Sequence, residues 1–151
     1  MKTGVIWWNL IDGWPQVSDA VVDYYYEKKL AYHYIKASQQ PFCLMCGAIE
    51  NWNLPVYAVN DTIDDISGTF TVYEDEKLLY EGKFSVEKNG NEQVCRIPIL
   101  YSDQRLLLIN WEANGKKGFN HYVSGTPPFS FSQYKKWLST ISLANKRNVL
   151  L

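Results

Sequence analysis

At 151 residues the chain holds one ordinary domain, or a small domain with an appendage. Hydrophobic residues at 46% and charged residues at 21% set it apart from disordered chains. A net charge of −1 excludes binding dominated by nucleic-acid phosphates, which needs a clustered basic surface; Lys146 and Arg147 are too few to supply one. Aromatic residues are the outlying quantity, with 6 Trp and 11 Tyr. Such rings fill a β-sandwich core, line a sugar-binding surface or cover an interface.

The run Gly4-Val-Ile-Trp-Trp-Asn-Leu-Ile-Asp-Gly-Trp-Pro15 predicts a short buried strand whose C-terminal end opens into a polar, aromatic loop. In parallel α/β architectures that end of a strand is where ligands are held. The sheet that such a strand belongs to has no room ahead of Gly4, so the expectation is a piece of an active site without its catalytic groups. A helix follows over Glu27–Ser38, with Leu30, Ala31, Tyr34, Ile35 and Ser38 on one face. Gln39-Gln40-Pro41 ends it, because the residue before proline is pushed away from helical geometry.

From Pro41 the texture changes to short β-rich runs between turn signals. The expected strands are Phe42–Glu50, Leu54–Asn60, Gly68–Tyr73, Lys77–Val86, Val94–Leu100, Leu106–Ala113 and Gly118–Val123. Asn60-Asp61, Glu74-Asp75, Asn89-Gly90-Asn91 and Asn114-Gly115 punctuate them. Seven strands at this spacing predict an immunoglobulin-like antiparallel β-sandwich over residues 41–125, without evident disulfide strands. The remainder, residues 126–151, reads as a tail with a short helix. Ser132 would cap it, Tyr134, Trp137 and Leu138 would share a side, and fraying is expected beyond Ser142.

No apolar run approaches the ~20 residues of a membrane helix, and Met1-Lys2 leads into the first strand without a signal-peptide cleavage site. Cys43-Leu-Met-Cys46 has C-x-x-C spacing but no second pair and no His cluster; in a strand, positions three apart face opposite ways, giving one buried and one outward Cys. No cofactor or metal site is expected. Asn60-Asp-Thr62 fits a glycosylation sequon. His33 reads as a surface or interface residue, and His121 as part of a hydrogen-bond network in its tail. Tyr24-Tyr25-Tyr26 is either a glycan platform or, more in keeping with its linker position, packing.

Together these pieces resemble the C-terminal end of glycoside hydrolases of family 2, the group of β-galactosidases, β-mannosidases and β-glucuronidases. The resemblance rests on Gly4 to Pro15, Ser18-Asp-Ala-Val-Val-Asp-Tyr24 and Lys29-Leu-Ala-Tyr32. It continues in Leu54-Pro-Val-Tyr-Ala-Val-Asn-Asp-Thr62, Asn120-His-Tyr-Val-Ser-Gly125 and Tyr134-Lys-Lys-Trp137. It implies that residues 1–40 are the eighth strand, loop and eighth helix of a truncated (β/α)₈ barrel, followed by the family's β-sandwich. It also implies that Trp8 stacks under the sugar, with Asn9, Asp12 and Trp14 hydrogen bonding or shaping the loop. Ile11, where many relatives carry Asn, and Asp19, where many carry Trp, are departures that leave the sugar unspecified.

A retaining glycosidase needs two carboxyl groups ~5 Å apart, and in this family they are implied to sit on earlier strands of a barrel of ~250 residues. Residues 1–40 cannot supply them. Asn91-Glu92 repeats the family's Asn before the acid/base, but it lies between two expected sandwich strands, so no catalytic residue is assigned.

The resulting expectation is a non-catalytic accessory piece whose partner is the rest of a parent glycosidase, with the compartment left open. Carbohydrate would bind weakly if at all, nucleic acid and membrane would not, and the exposed barrel remnant would promote self-association. Two other classes stay open. One is a carbohydrate-binding module using Trp52, Tyr57, Tyr73, Tyr80 and Trp111; the other is an interaction domain.

Overall fold

The structure is a computed structural model that describes residues 6–149, with the backbone alone for 145–149. The chain forms two compact units, Met1–Gln40 and Pro41–Leu151.

In the first unit the expected buried strand is not formed by the described residues; Gly4 and Val5 lie outside them. Residues 6–10 run without ladder partners, and the segment meets its own unit at one parallel bridge, Ile11 with Val22. Three backbone hydrogen bonds hold it there: Val21 N to Asn9 O at 3.3 Å, Val22 N to Leu10 O at 3.0 Å, and Asp12 N to Val22 O at 3.1 Å. A parallel strand gains its stability from neighbours on both sides, and among the described residues of this unit the 20–22 segment is the sole pairing partner. Trp7 and Trp8 are both exposed.

The helix α1 spans Leu30–Ser38, three residues shorter at its start than expected. Glu27 and Lys28 are taken up by a tight turn instead. The Asp23 carboxylate accepts from the Tyr25 and Glu27 amides at 2.8 Å each, Asp23 N donates to Glu27 O at 2.9 Å, and Val22 pairs antiparallel with Lys28. Side-chain acceptance of this kind competes with helix for the same amides. No residue of α1 is buried.

The second unit carries seven strands: β1 Phe42–Cys46, β2 Asn53–Asn60, β3 Ile66–Glu74, β4 Lys77–Val86, β5 Gly90–Pro98, β6 Leu106–Ala113 and β7 Lys116–Val123, then helix α2 Phe131–Val149. They form two antiparallel sheets, ordered β1-β2-β5 and β4-β3-β6-β7. Constant-type immunoglobulin domains place their fourth strand beside the fifth. Here β4 pairs with β3 along its whole length, so the fourth strand has changed sheets.

Between the sheets lies a core of Leu44, Leu54, Val56, Phe70, Val72, Ile97, Leu107, Ile109 and Trp111. Phe42 stacks on Phe84 at 5.4 Å and meets Trp111 edge-on at 6.3 Å, and Asn120 Nδ2 donates to Leu44 O at 2.9 Å, joining β7 to β1. Arg105 ties the sheets at their ends. Its guanidinium grips Glu74 at 2.6 and 2.8 Å while a third nitrogen donates to Pro98 O at 2.9 Å. Gly118 is required because a Cβ there would fall 2.1 Å from the Trp111 ring.

The uninterrupted Leu106-Leu-Leu-Ile109 run has a simple cause: both faces of β6 are covered. Leu107 and Ile109 face the sandwich, whereas Leu106 and Leu108 pack with Trp137 of α2. The tail is therefore part of the second unit. Its helix is also longer than the short one expected, and begins at Phe131 with Tyr134 N donating to Ser130 O at 2.9 Å, so Ser132 sits inside the first turn. It continues past Ser142 to Val149, a stretch free of Gly and Pro.

Candidate functional site

Among the four residues expected to serve a sugar site, Asp12 has the most defined surroundings. Its side chain is 1% exposed, and Lys29 Nζ, on the residue that precedes α1, reaches Oδ2 at 2.7 Å. Ser18 Oγ donates a short hydrogen bond to Oδ1, and Gln16 Nε2 reaches the same oxygen at 3.3 Å. Lys29 also donates to Ser18 O at 3.2 Å, while Ser18 Oγ accepts from Ala20 N at 3.0 Å. The Lys29 ammonium first, and then the Ser18 hydroxyl, hold the Asp12 carboxyl below its ordinary acidity range. Both oxygens of the Asp12 carboxylate are thus engaged within the first unit.

Trp8 is 75% exposed and Trp14 65% exposed, at either side of this hub. Asn9 is exposed as well; its carbonyl accepts from Val21, and the Trp8–Asn9 peptide is cis. Asp12 fixes the path of the loop, and the two indoles project from it. Lys29 is the ion-pair partner that spacing could not reveal, since it lies 17 residues from Asp12 and the contact depends on the Asp23 turn bringing the chain back.

Tyr24 and Tyr25 meet edge-on at 5.3 Å and, with Tyr26, lie exposed on the Asp23 turn. His33 is exposed on α1, edge-on to Tyr32 at 5.5 Å. Glu92 lies exposed on β5 opposite Ala58. In β1, Cys43 is buried, and Cys46, expected to face outward, is partly buried against the same core. Burial raises Cys43 and Cys95 to about 11 and Cys46 to about 12, so none is a ready thiolate near neutral pH. Among the described residues, no group of three or more His, Cys, Asp or Glu is placed to hold a metal ion.

Asn60 of the sequon is 0% exposed. Its Nδ2 donates to the carbonyls of Asp64, Glu87 and Val86 at 2.8, 3.1 and 3.4 Å, and its Oδ1 accepts from Thr62 N and Oγ1 at 3.0 and 2.7 Å. The nitrogen a glycan would use is committed to the fold, which corrects the glycosylation expectation for the folded chain.

The five aromatics expected on one sugar-binding face do not share one. Trp111 is 7% exposed in the core, Tyr80 packs against that core, Tyr73 lies under α2 and Tyr57 is half-buried. Trp52 alone among them is displayed, at 64% exposure. Two shallow hollows open elsewhere on the second unit. One, of about 190 Å³, lies on the outer face of β3, β6 and β7, against Thr69, Thr71, Asn110, Glu112 and Lys117. The other, of about 80 Å³, adjoins the Trp52 turn.

No family model matches the chain, and no curated protein sequence does. Solved structures do. The chain is similar to a β-D-mannosidase from Dictyoglomus thermophilum, with TM-score 0.64 and 20% identity, over 78% of this chain and 16% of that one. It is equally similar to the exo-chitosanase CsxA of Amycolatopsis orientalis, with TM-score 0.64 and 21% identity, over 83% of this chain and 16% of the enzyme. The chain thus spans under a fifth of the length of either enzyme. At such identity the likeness establishes the fold: a mainly β chain of two antiparallel sheets with a C-terminal helix, built like a portion of these much larger enzymes.

Proposed function

We propose that the chain is the C-terminal part of a family-2 glycoside hydrolase. In this reading the first unit is the last strand, loop and helix of the catalytic barrel, and the sandwich is an accessory domain that buttresses it. The observation that carries the proposal is the fold shared with a β-mannosidase and an exo-chitosanase over four fifths of the chain and a sixth of theirs. The second unit is less than three quarters of the chain, so a match over 83% draws on part of the first unit too.

The state of the first unit supports the same reading. Apart from Asp12, the buried residues among those described in this unit are Ala20, Val21 and Val22, whereas Ile6, Trp8, Leu10, Trp14, Val17 and Leu30 are exposed. So apolar a surface on so small a unit is the mark of a piece whose partners lie elsewhere. In the parent, Trp8 would stack on the sugar and Asp12 would hold the loop that presents it. The same exposed surface would draw isolated copies of the chain together.

The isolated chain is expected to lack a pair of carboxylates set for glycosidic cleavage, and so to leave aryl-β-mannosides and aryl-β-galactosides intact. Hydrolysis by the pure chain that disappears in Glu92→Ala would overturn the proposal.

A further inference from the structure

One turn of the second unit breaks a local rule. Glu50 N donates to Asn53 O at 2.8 Å and Asn53 N to Glu50 O at 2.9 Å, closing a two-residue hairpin over Asn51 and Trp52. Both central residues have positive φ, 48° and 61°. Two-residue hairpins of this type favour Asn-Gly, because an L side chain in the second position crowds its own carbonyl. The first residue here is the expected Asn; the second is the bulkiest side chain available.

Packing does not account for it, since Trp52 is 64% exposed. Its ring meets Tyr101 edge-on at 6.4 Å with planes 72° apart, so the two form a corner open to solvent. The backbone of one wall and the hydroxyl tip of the other are held. Trp52 O accepts from Ile99 N at 3.0 Å, and the Tyr101 hydroxyl donates to Ile49 O at 2.8 Å. Against the same turn lies the smaller hollow, lined by Glu50, Asn51, Asn53, Pro55, Gln93 and Arg96, with Arg96 Nε donating to Gln93 Oε1 at 3.1 Å.

We infer that this corner is a carbohydrate-binding site, taking one pyranose ring of a glycan chain on the Trp52 indole and the hydroxyls of its neighbour in the polar hollow. A pyranose offers one face of polarised C–H groups, which suits the negative face of an aromatic ring. Its edge offers hydroxyls that both donate and accept, which suits carboxamides, a guanidinium and a carboxylate standing together. A protein partner would call for an apolar surround that dries the indole; five of the six residues of this hollow are polar. The site belongs to the second unit alone and needs no catalytic barrel.

The test titrates the full chain, labelled with nitrogen-15, with β-1,4-mannotriose, deacetylated chitotriose and cellotriose. The Trp52 indole N–H signal is identified by its loss in Trp52→Phe. At least one trisaccharide is expected to move that signal together with the amides of Gln93 and Arg96. Trp52→Gly restores the preferred turn sequence, so it should keep its melting transition while weakening binding by roughly tenfold or more. Tyr101→Phe, which frees the second wall, should weaken it by less.

No movement of the Trp52 signal with any of the three sugars at millimolar concentration overturns the inference, as does binding that survives in Trp52→Gly. Self-association of the chain that Trp52→Gly abolishes would assign the corner to a protein contact instead. None of these outcomes bears on whether the chain belongs to a glycosidase, which the aryl-glycoside assay addresses separately.

Discussion

Asn60→Ala should be among the most damaging single changes in the sandwich. It deletes five hydrogen bonds, three from Nδ2 and two to Oδ1, at a position with 0% exposure. A buried polar group left without its partner costs about 1–3 kcal/mol. Several of the affected groups, such as Asp64 O and Thr62 N, sit near the surface and can recover water. Counting about two unrecovered groups and the small void left by the amide gives a loss of ~3–5 kcal/mol. That is a large share of the ~5–15 kcal/mol typical of a folded domain.

Asn60→Asp separates the hydrogen-bond cause from the void. It keeps the shape but turns an oxygen toward three carbonyls that need a donor, so the carboxylate form is disfavoured in the folded state. The pKa of the introduced carboxyl would therefore be raised by folding, and the destabilisation should deepen as pH rises from about 4 to 7. Urea unfolding of the unglycosylated variants, followed by tryptophan fluorescence and far-UV circular dichroism, measures both. An Asn60→Ala midpoint corresponding to a loss below about 1 kcal/mol would contradict the burial of this amide and return Asn60 to the role of an accessible sequon.

Three further outcomes follow from the same geometry. Trp137, 3% exposed, pins α2 over Leu106 and Leu108, so Trp137→Ala should cost ~3–5 kcal/mol and expose α2 to limited proteolysis, read by urea unfolding and mass mapping. His121 is held below its ordinary value of 6.5 by burial, so the unfolded chain binds its proton more readily. Stability should therefore fall as pH drops below 6.5 toward the folded value, and urea midpoints at pH 7.5 and about 5.5 should differ less in His121→Asn. The raised thiols of Cys43, Cys46 and Cys95 should react slowly with Ellman's reagent in the folded protein and fully in urea; fast native labelling would contradict their burial.

Much of the sandwich was legible because its signals are local. Thr69 to Tyr73 alternates as a half-buried strand must, and Asn114-Gly115, at φ 50° and 72°, closes the β6–β7 hairpin as that dipeptide predicts. The end of β1 at Cys46 was not legible, since the chain from Gly47 to Glu50 keeps the apolar texture of a strand yet has to enter the Trp52 turn. The partition of strands between sheets depends on contacts far apart in the chain, so the move of β4 left no trace in the spacing.

At the candidate site the limits have a different cause. Trp8, Asn9, Asp12 and Trp14 stood out through the resemblance of residues 4–15 to the family-2 segment. Their surroundings are another matter: Lys29, Ser18 and Gln16, the partners of Asp12, were given no role by it, and only the folded path joins them. Tyr101 escaped notice for the same reason, as its pairing with Trp52 bridges the β1–β2 turn and the segment after β5. The buried strand expected at the start was read correctly as apolar, but apolar character alone does not create the neighbours that a ladder requires.

If the first unit is an orphaned piece, it should open far more readily than the sandwich beside it in the chain. Hydrogen–deuterium exchange of the isolated chain, resolved by residue, reads this out. No residue of α1 is buried, so its amides should be at least about 100-fold less protected than those of β2, β3 and β6. Protection of α1 equal to that of β6 would show a self-sufficient first unit, at odds with the proposal that it is the closing segment of a barrel.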